Sequence, residues 1–255
     1  MHVPCGKCSQ CRKAKVKEWQ YRLQDVCDKS ASSFFVTLTY DDEHLPRTDL
    51  GNPTFCKADV QKFLHNVRKA FEVRKMVDGI TRYTKCNTVK YFLISEYGPN
   101  GSMRSHYHLL MFFSIYISID DVDKCLSHSW NLGYYSVSHV LSQRVTYVAN
   151  YFLQPPYRDF EDQMFTFRMS SKGLMADLDT DERSDFWKYY GKRIEHGYQV
   201  PLPRIYKDKL DSRYRGVVPK DFYQQNFEVQ KMSIRNEETS LRKLKQKFRN
   251  KHKIK

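Results

Sequence analysis

No apolar run in this 255-residue sequence approaches the roughly 18 residues that span a bilayer, so no membrane helix is expected. The first residues carry cysteines and charges where a signal peptide has its apolar core, so no export signal is expected either. There is no GxxxxGKS/T phosphate loop, hence no ATPase or helicase module. No internal repeat is visible. The seven cysteines are an odd number, which argues against a complete disulfide framework and for reduced thiols in a cytoplasmic setting. Acidic residues are in deficit, with 29 Asp and Glu against 43 Lys and Arg, a net charge of +14. That excess calls for an anionic partner, most simply nucleic acid, and not a membrane. The 18 tyrosines add rings that can stack on single strands, although most should be core.

What is present reads as an α+β chain. A basic helix is expected from about Arg12 to Cys27, then a strand at "FFVTLTY", Phe34 to Tyr40. Val60, Phe63, Leu64, Val67 and Phe71 recur at helical spacing and predict an amphipathic helix from about Lys57 to Met76. "VKYFLIS" is a second strand, "EYGPNGS" a turn, and "RSHYHLLMF" starts a third strand that runs to about Ile117. A short helix at 120–130, a strand at "GYYSVSHV" and a helix from Ser142 to Gln154 follow, the last stopped by Pro155 and Pro156. The order predicts a central, mainly antiparallel sheet flanked by helices. A Cys-rich segment with the basic helix (1–30), a core (31–205) and a basic extension (206–255) would be its three parts. Eight of the last 15 residues are Lys or Arg, which suits sequence-independent phosphate contacts that weaken with salt.

In "RSHYHLLMF", His106 and His108 point to one face of a strand. An HxH arises by chance ~0.3 times in a chain of this composition, so alone it is equally a metal site or two strand histidines. Glu96 ends the preceding strand across a short turn. If the two strands pair in the right register, Glu96 joins the histidines, whereas a slip of one residue sends it to the other face. Two imidazoles and a carboxylate suit a divalent cation with open positions.

In "SQRVTYVANYF", Tyr147 and Tyr151 share a helix face, a pair that 18 tyrosines would produce about once by chance. What separates it from chance is direction. Val145, Val148, Ala149 and Phe152 form one apolar stripe, and the tyrosines lie roughly 130° around the helix from it. Arg144 and Gln154 fall near the tyrosine side, and Arg104 heads the histidine strand; these are the candidate phosphate or DNA contacts. A tyrosine attacks a phosphodiester when a metal polarises the phosphate. A second tyrosine on the same face can accept a second strand.

Cys5, Cys8 and Cys11 stand at metal-ligand spacing. A tetrahedral zinc site needs a fourth ligand, for which His2 or Cys27 is available. The usual second CxxC is absent, so structural Zn²⁺ and free thiols both remain open.

"FFVTLTY", "SEYG…RSHYHLLMF" and "YVANYF" resemble, in order, the three motifs of HUH endonucleases that initiate rolling-circle replication. The tyrosine pair is similar to that of the phiX-type initiators, and "VPCGKCSQCR" and "GYQVPLPRIYKDKL" resemble flanking segments of the gokushovirus type. The likeness covers roughly Val3 to Leu210. It implies His106, His108 and Glu96 as ligands of Mg²⁺ or Mn²⁺, and Tyr147 and Tyr151 as nucleophiles. It also implies single-stranded and origin DNA as substrate, a host helicase and polymerase as partners, and the cytoplasm of a bacterial host as the setting. Related initiators often carry a Lys shortly after the second tyrosine, where this chain has Gln154; Arg144 is the candidate substitute. A transposase or relaxase with the same chemistry, and a non-catalytic zinc-containing nucleic-acid-binding protein, are the competing expectations.

Overall fold

The structure is a computed structural model that describes residues 5–77, 82–87, 89–98, 104–153, 155–174, 192–195, 198–201, 203 and 205–206. Residues 99–103 of the expected turn and the basic tail lie outside the described residues. The chain divides into two compact units, Met1–Ala176 and Asp177–Lys255.

In the first unit the elements run α1 (Ser9–Lys29), β1 (Ser32–Tyr40), α2 (Lys57–Ala70), β2 (Glu72–Val77), β3 (Arg82–Asn87), β4 (Val89–Tyr97), β5 (Ser105–Phe113), α3 (Ile119–Ser129), β6 (Gly133–His139), α4 (Ser142–Asn150) and β7 (Arg168–Ser170). The second unit contributes an antiparallel pair, β8 (Lys192–Glu195) and β9 (Tyr198–Pro201). Among the described residues no helix is long and apolar enough to cross a membrane.

Five strands form one open sheet in the order β6-β1-β5-β4-β7, and every pairing in it is antiparallel. The fold is α+β, as the alternation of strand and helix signals leads one to expect. The sheet is covered on both faces because each strand is apolar on both. Phe34, Val36, Leu38, Tyr107, Leu109, Met111 and Phe113 pack with Val60, Phe63, Leu64 and Val67 of α2 and Val122 and Leu126 of α3. Phe35, Phe92, Ile94, Leu110 and Phe112 pack on the other face with Val16, Leu23 and Val26 of α1 and Val145, Val148 and Ala149 of α4.

Several boundaries differ from expectation. The helix expected to reach Met76 ends at Ala70, where Phe71 leaves helical geometry at φ −103°, ψ 24°. The backbone of Glu72–Val77 is taken up by pairing with β3, and Asp78-Gly79 between the two strands is a hairpin signal in the sequence. The third sheet strand stops at Phe113 instead of Ile117, and the tyrosine helix stops at Asn150.

At the start of β6, Gly133 has φ +148°, and a Cβ there would lie 2.3 Å from the Asp41 amide nitrogen and 2.4 Å from the Thr39 carbonyl oxygen. Only glycine allows β6 to close on the end of β1 at this point.

Candidate active site

The face that carries α1 and α4 changes character along its length. At one end it is apolar: Phe35 on β1, Leu110 and Phe112 on β5, Phe92 and Ile94 on β4. Two rows further along, the same strands supply polar groups. His108 lies between Thr37 and Ile94, and His106 between Thr39 and Glu96. Residues opposite one another on paired strands share a face, so the condition on register is met: Glu96 stands directly across from His106, on the histidine side.

Both imidazoles are held from behind. His106 Nδ1 is 3.1 Å from Thr39 Oγ1, and His108 Nδ1 is 3.1 Å from Thr37 Oγ1. That contact fixes the ring plane and leaves Nε2 facing the site. His108 Nε2 lies 3.2 Å from Glu96 Oε2, and its ring lies over Phe35, 5.7 Å between centroids at 15°. Among the described residues, no hydrogen bond joins His106 to Glu96, His108 or the tyrosines.

α4 brings the tyrosines over this floor. Its apolar stripe is buried and its other side is not: Tyr147 is 37% exposed. Tyr147 Oη donates to Glu96 Oε2 at 2.9 Å and lies 3.4 Å from His108 Nε2. Its hydroxyl is 2.8 Å from that of Tyr151. Tyr151 is not inside the helix; it is the cap residue, still in helical geometry at φ −62°, ψ −11°.

The electrostatics are those of a negative group surrounded by donors. Burial raises the Glu96 carboxyl, but hydrogen bonds from His108, Tyr151 and Tyr147 outweigh it and bring it down to about 2. Glu96 is therefore ionised at neutral pH. Burial, with the neighbouring His108, lowers His106, so that ring is neutral at pH 7 and has a lone pair for a metal. Burial pushes the Tyr147 hydroxyl up to about 12 and raises that of Tyr151 as well. Both remain protonated until something offsets the negative charge. Two neutral nitrogens and one carboxylate on a single face form a donor set that fits Mg²⁺ or Mn²⁺.

Of the expected phosphate contacts, the Arg144 guanidinium sits 4.8 Å above the Phe35 ring, and its charge opposes the rise at Tyr147. Arg104 is engaged elsewhere: it donates to the Tyr40 carbonyl at 2.8 Å and pairs with Asp42. Gln154 lies outside the described residues. Tyr107, between the histidines, is buried on the opposite face against Tyr40, Phe55 and Trp130. Sequence reading overlooked Thr37 and Thr39, which read simply as strand residues until β5 is seen beside them.

Among the described residues, one group of three or more His, Cys, Asp or Glu has all its ligand atoms within 4.8 Å: Cys5, Cys8 and Cys11. A hydrogen bond from the Cys8 amide is the main reason the Cys5 thiol comes down to about 7. Cys27 cannot complete this group. It lies 16 residues beyond Cys11 on the same helix, hence roughly 24 Å away at ~1.5 Å per residue. His2 lies outside the described residues.

Residues 33–155 match the family model of the replication-associated protein ORF2 type, a stretch that holds every candidate site residue except the cysteines. Among curated proteins, the chain is 28% identical over 239 residues to replication-associated protein ORF2 of Spiroplasma virus 4, covering 86% of this chain and 66% of that one. It is 21% identical over 229 residues to replication-associated protein ORF4 of Chlamydia phage 1, covering 82% and 53%. It is 25% identical over 228 residues to replication-associated protein VP4 of Bdellovibrio phage phiMH2K, covering 80% and 66%. The chain thus spans between 53% and 66% of the length of these curated relatives. No solved structure matches it.

Proposed function

We propose that this chain, which belongs through residues 33–155 to the family of replication-associated protein ORF2, initiates rolling-circle replication of a bacterial virus by cutting and rejoining DNA. The observation that carries this reading is the placement of two tyrosine hydroxyls 2.8 Å apart, one of them 2.9 Å from an ionised carboxylate that shares a sheet face with two imidazoles.

His106, His108 and Glu96 would hold Mg²⁺ or Mn²⁺, whose charge polarises the scissile phosphate and offsets the charge that builds there. We assign the first attack to Tyr147, because its hydroxyl touches both Glu96 and His108. Its proton already points at the Glu96 carboxylate. As the Tyr147 oxygen bonds to phosphorus, the bond to the 3′ oxygen breaks. The products are a 5′-phosphotyrosine and a 3′-hydroxyl that primes synthesis. The phosphotyrosyl bond keeps the energy of the phosphodiester, so joining needs no nucleotide hydrolysis. Tyr151 then serves the second cleavage that releases a circular strand. Arg144, beside Tyr147, would hold the phosphate in place of the absent Lys. The substrate would be single-stranded or hairpin origin DNA in the host cytoplasm. With no phosphate loop in the sequence, duplex opening and synthesis fall to a host helicase and polymerase.

The test is incubation with single-stranded origin DNA and Mg²⁺ or Mn²⁺, followed by a denaturing gel. A covalent adduct is expected from the wild-type protein, and none from Tyr147→Phe/Tyr151→Phe or from His106→Ala. Arg144→Ala should lower the adduct yield; an unchanged yield removes Arg144 from the mechanism. No adduct on any cognate origin would leave a DNA-binding protein without this chemistry.

A further inference from the structure

We propose that Cys5, Cys8 and Cys11 bind one zinc ion, and that this metal fixes the first turn of α1 so that Arg12 holds the segment following Tyr151. The second half of this statement rests on the role given to Tyr151 above; the first half does not.

Distance selects a metal over a disulfide. Cys5 Sγ and Cys11 Sγ are 3.9 Å apart, far beyond the ~2.05 Å of a disulfide. Thiolates at ~2.3 Å from a tetrahedral zinc are ~3.8 Å from one another. The backbone is wound to suit. Gly6, at φ +71°, takes the left-handed turn that brings Cys5 and Cys8 together. The Cys8 amide donates to Cys5 Sγ at 3.3 Å, and the Cys11 amide donates to Cys8 Sγ at 3.5 Å. These N–H groups belong to the loop and to the first turn of a 21-residue helix. They stabilise thiolate sulfur, and the positive end of the helix adds to them. Zinc binding would release the thiol protons.

What the knuckle would secure lies immediately after it. Arg12 Nη1 donates to the carbonyl oxygen of Leu153 at 3.3 Å. Lys15 Nζ lies 5.6 Å from the Phe152 ring centroid, and Trp19 stacks on the same ring at 5.0 Å and 12°. Tyr151, Phe152 and Leu153 are where α4 ends, so their path is set less by helix hydrogen bonds than by what they lean on. The lower turns of α1 are held by burial of Val16, Leu23 and Val26. The first turn has no such anchor, since Cys5 and Cys8 are exposed. Three thiolates on one ion supply it. Arg12 is thus a positioning residue for Tyr151, acting through the backbone of Leu153.

The experiment needs no DNA, so its failure is separate from a failure of the nicking chemistry. The full chain, purified without chelator and dialysed against zinc-free buffer, should retain one zinc per chain. Cys8→Ser and Cys11→Ser should lose it and Cys27→Ser should keep it. Cobalt in its place should show thiolate-to-metal charge-transfer absorption. Well under one zinc per chain in the wild type, or full retention in both Cys8→Ser and Cys11→Ser, overturns the site. Amide hydrogen exchange reads the coupling. Zinc extraction should raise exchange across residues 151–153 by ~10-fold or more while Val145 to Ala149 stay protected. Arg12→Ala should keep its zinc yet show the same local rise, and Arg12→Lys should restore protection. Unchanged exchange after extraction, or in Arg12→Ala with zinc bound, removes the link to Tyr151.

Discussion

Alternate residues of Ser105–Phe113 go to opposite faces of one sheet and meet different chemistry. On the side of α2 and α3, Tyr107, Leu109, Met111 and Phe113 are all fully buried. The one polar group that β5 sends there, the Tyr107 hydroxyl, is satisfied by Tyr40 Oη at 3.2 Å and by the Cys56 amide at 3.1 Å. On the side of α1 and α4, Leu110 and Phe112 are buried but His106 and His108 stay partly open. Their hydrogen bonds are incomplete and their neighbours are ionised or titratable. The first face is arranged for stability. The second gives up apolar burial at one end to keep nitrogen and carboxylate lone pairs available. Strand period alone separates the two functions, and one inserted residue would interchange them.

The sharpest test of that contrast exchanges neighbours. Leu109→Ala should lower unfolding free energy by about 2–5 kcal/mol through a cavity in the closed face, while the remaining folded protein still cleaves. His108→Ala, one residue away, should change stability by about 1 kcal/mol or less and abolish the covalent adduct. Chemical denaturation and the adduct gel read both. Equal stability losses would mean that the histidine face is as much core as the other.

A smaller effect comes from the hydroxyl pairs. Tyr107→Phe should cost about 1–3 kcal/mol, because it strands the Cys56 amide. Thr37→Val should cost less, and should weaken Mn²⁺ binding by roughly 10–100-fold, because His108 loses the contact that orients it. Calorimetric titration with Mn²⁺ checks this; unchanged affinity would show that Phe35 alone sets the ring.

The smallest effect is a pH dependence. In metal-free protein the folded Glu96 carboxyl sits at about 2, against an ordinary 4.5. A depressed carboxyl stabilises the fold above its unfolded value and stops doing so as pH falls through its folded one. The gap in urea midpoint between wild type and Glu96→Gln should therefore be full above pH 4.5 and close towards pH 2. A gap that does not vary with pH would mean that Glu96 is not held by its donors.

Much of this site was legible in the sequence because its signals are local. His-Tyr-His carries the strand period, and Tyr147 and Tyr151 stand apart from an apolar stripe that four nearby residues define. Glu96 needed register, which the sequence left conditional. Thr37 and Thr39 were not legible, since a threonine in a strand says only that the strand is half buried, and their partners come about seventy residues later. The hairpin of β2 and β3 was hidden because the apolar spacing of α2 runs on through Phe71, although Asp78-Gly79 marked the turn. Cys27 looked available as a zinc ligand until the unbroken length of α1 carried it away.

The strand order has a consequence for when the protein becomes dangerous to DNA. β5 lies between β1 and β4, so its histidines are braced from the front of the chain, faced by a carboxylate from the middle, and roofed by tyrosines from later still. The shortest segment holding Thr37, Glu96, His106, His108 and Tyr151 runs across most of residues 33–155. Contacts this distant in sequence close slowly and late. A chain still emerging from the ribosome, or a fragment cut within that span, carries pieces of the nuclease but no nuclease. Completion of the fold is itself the safety catch.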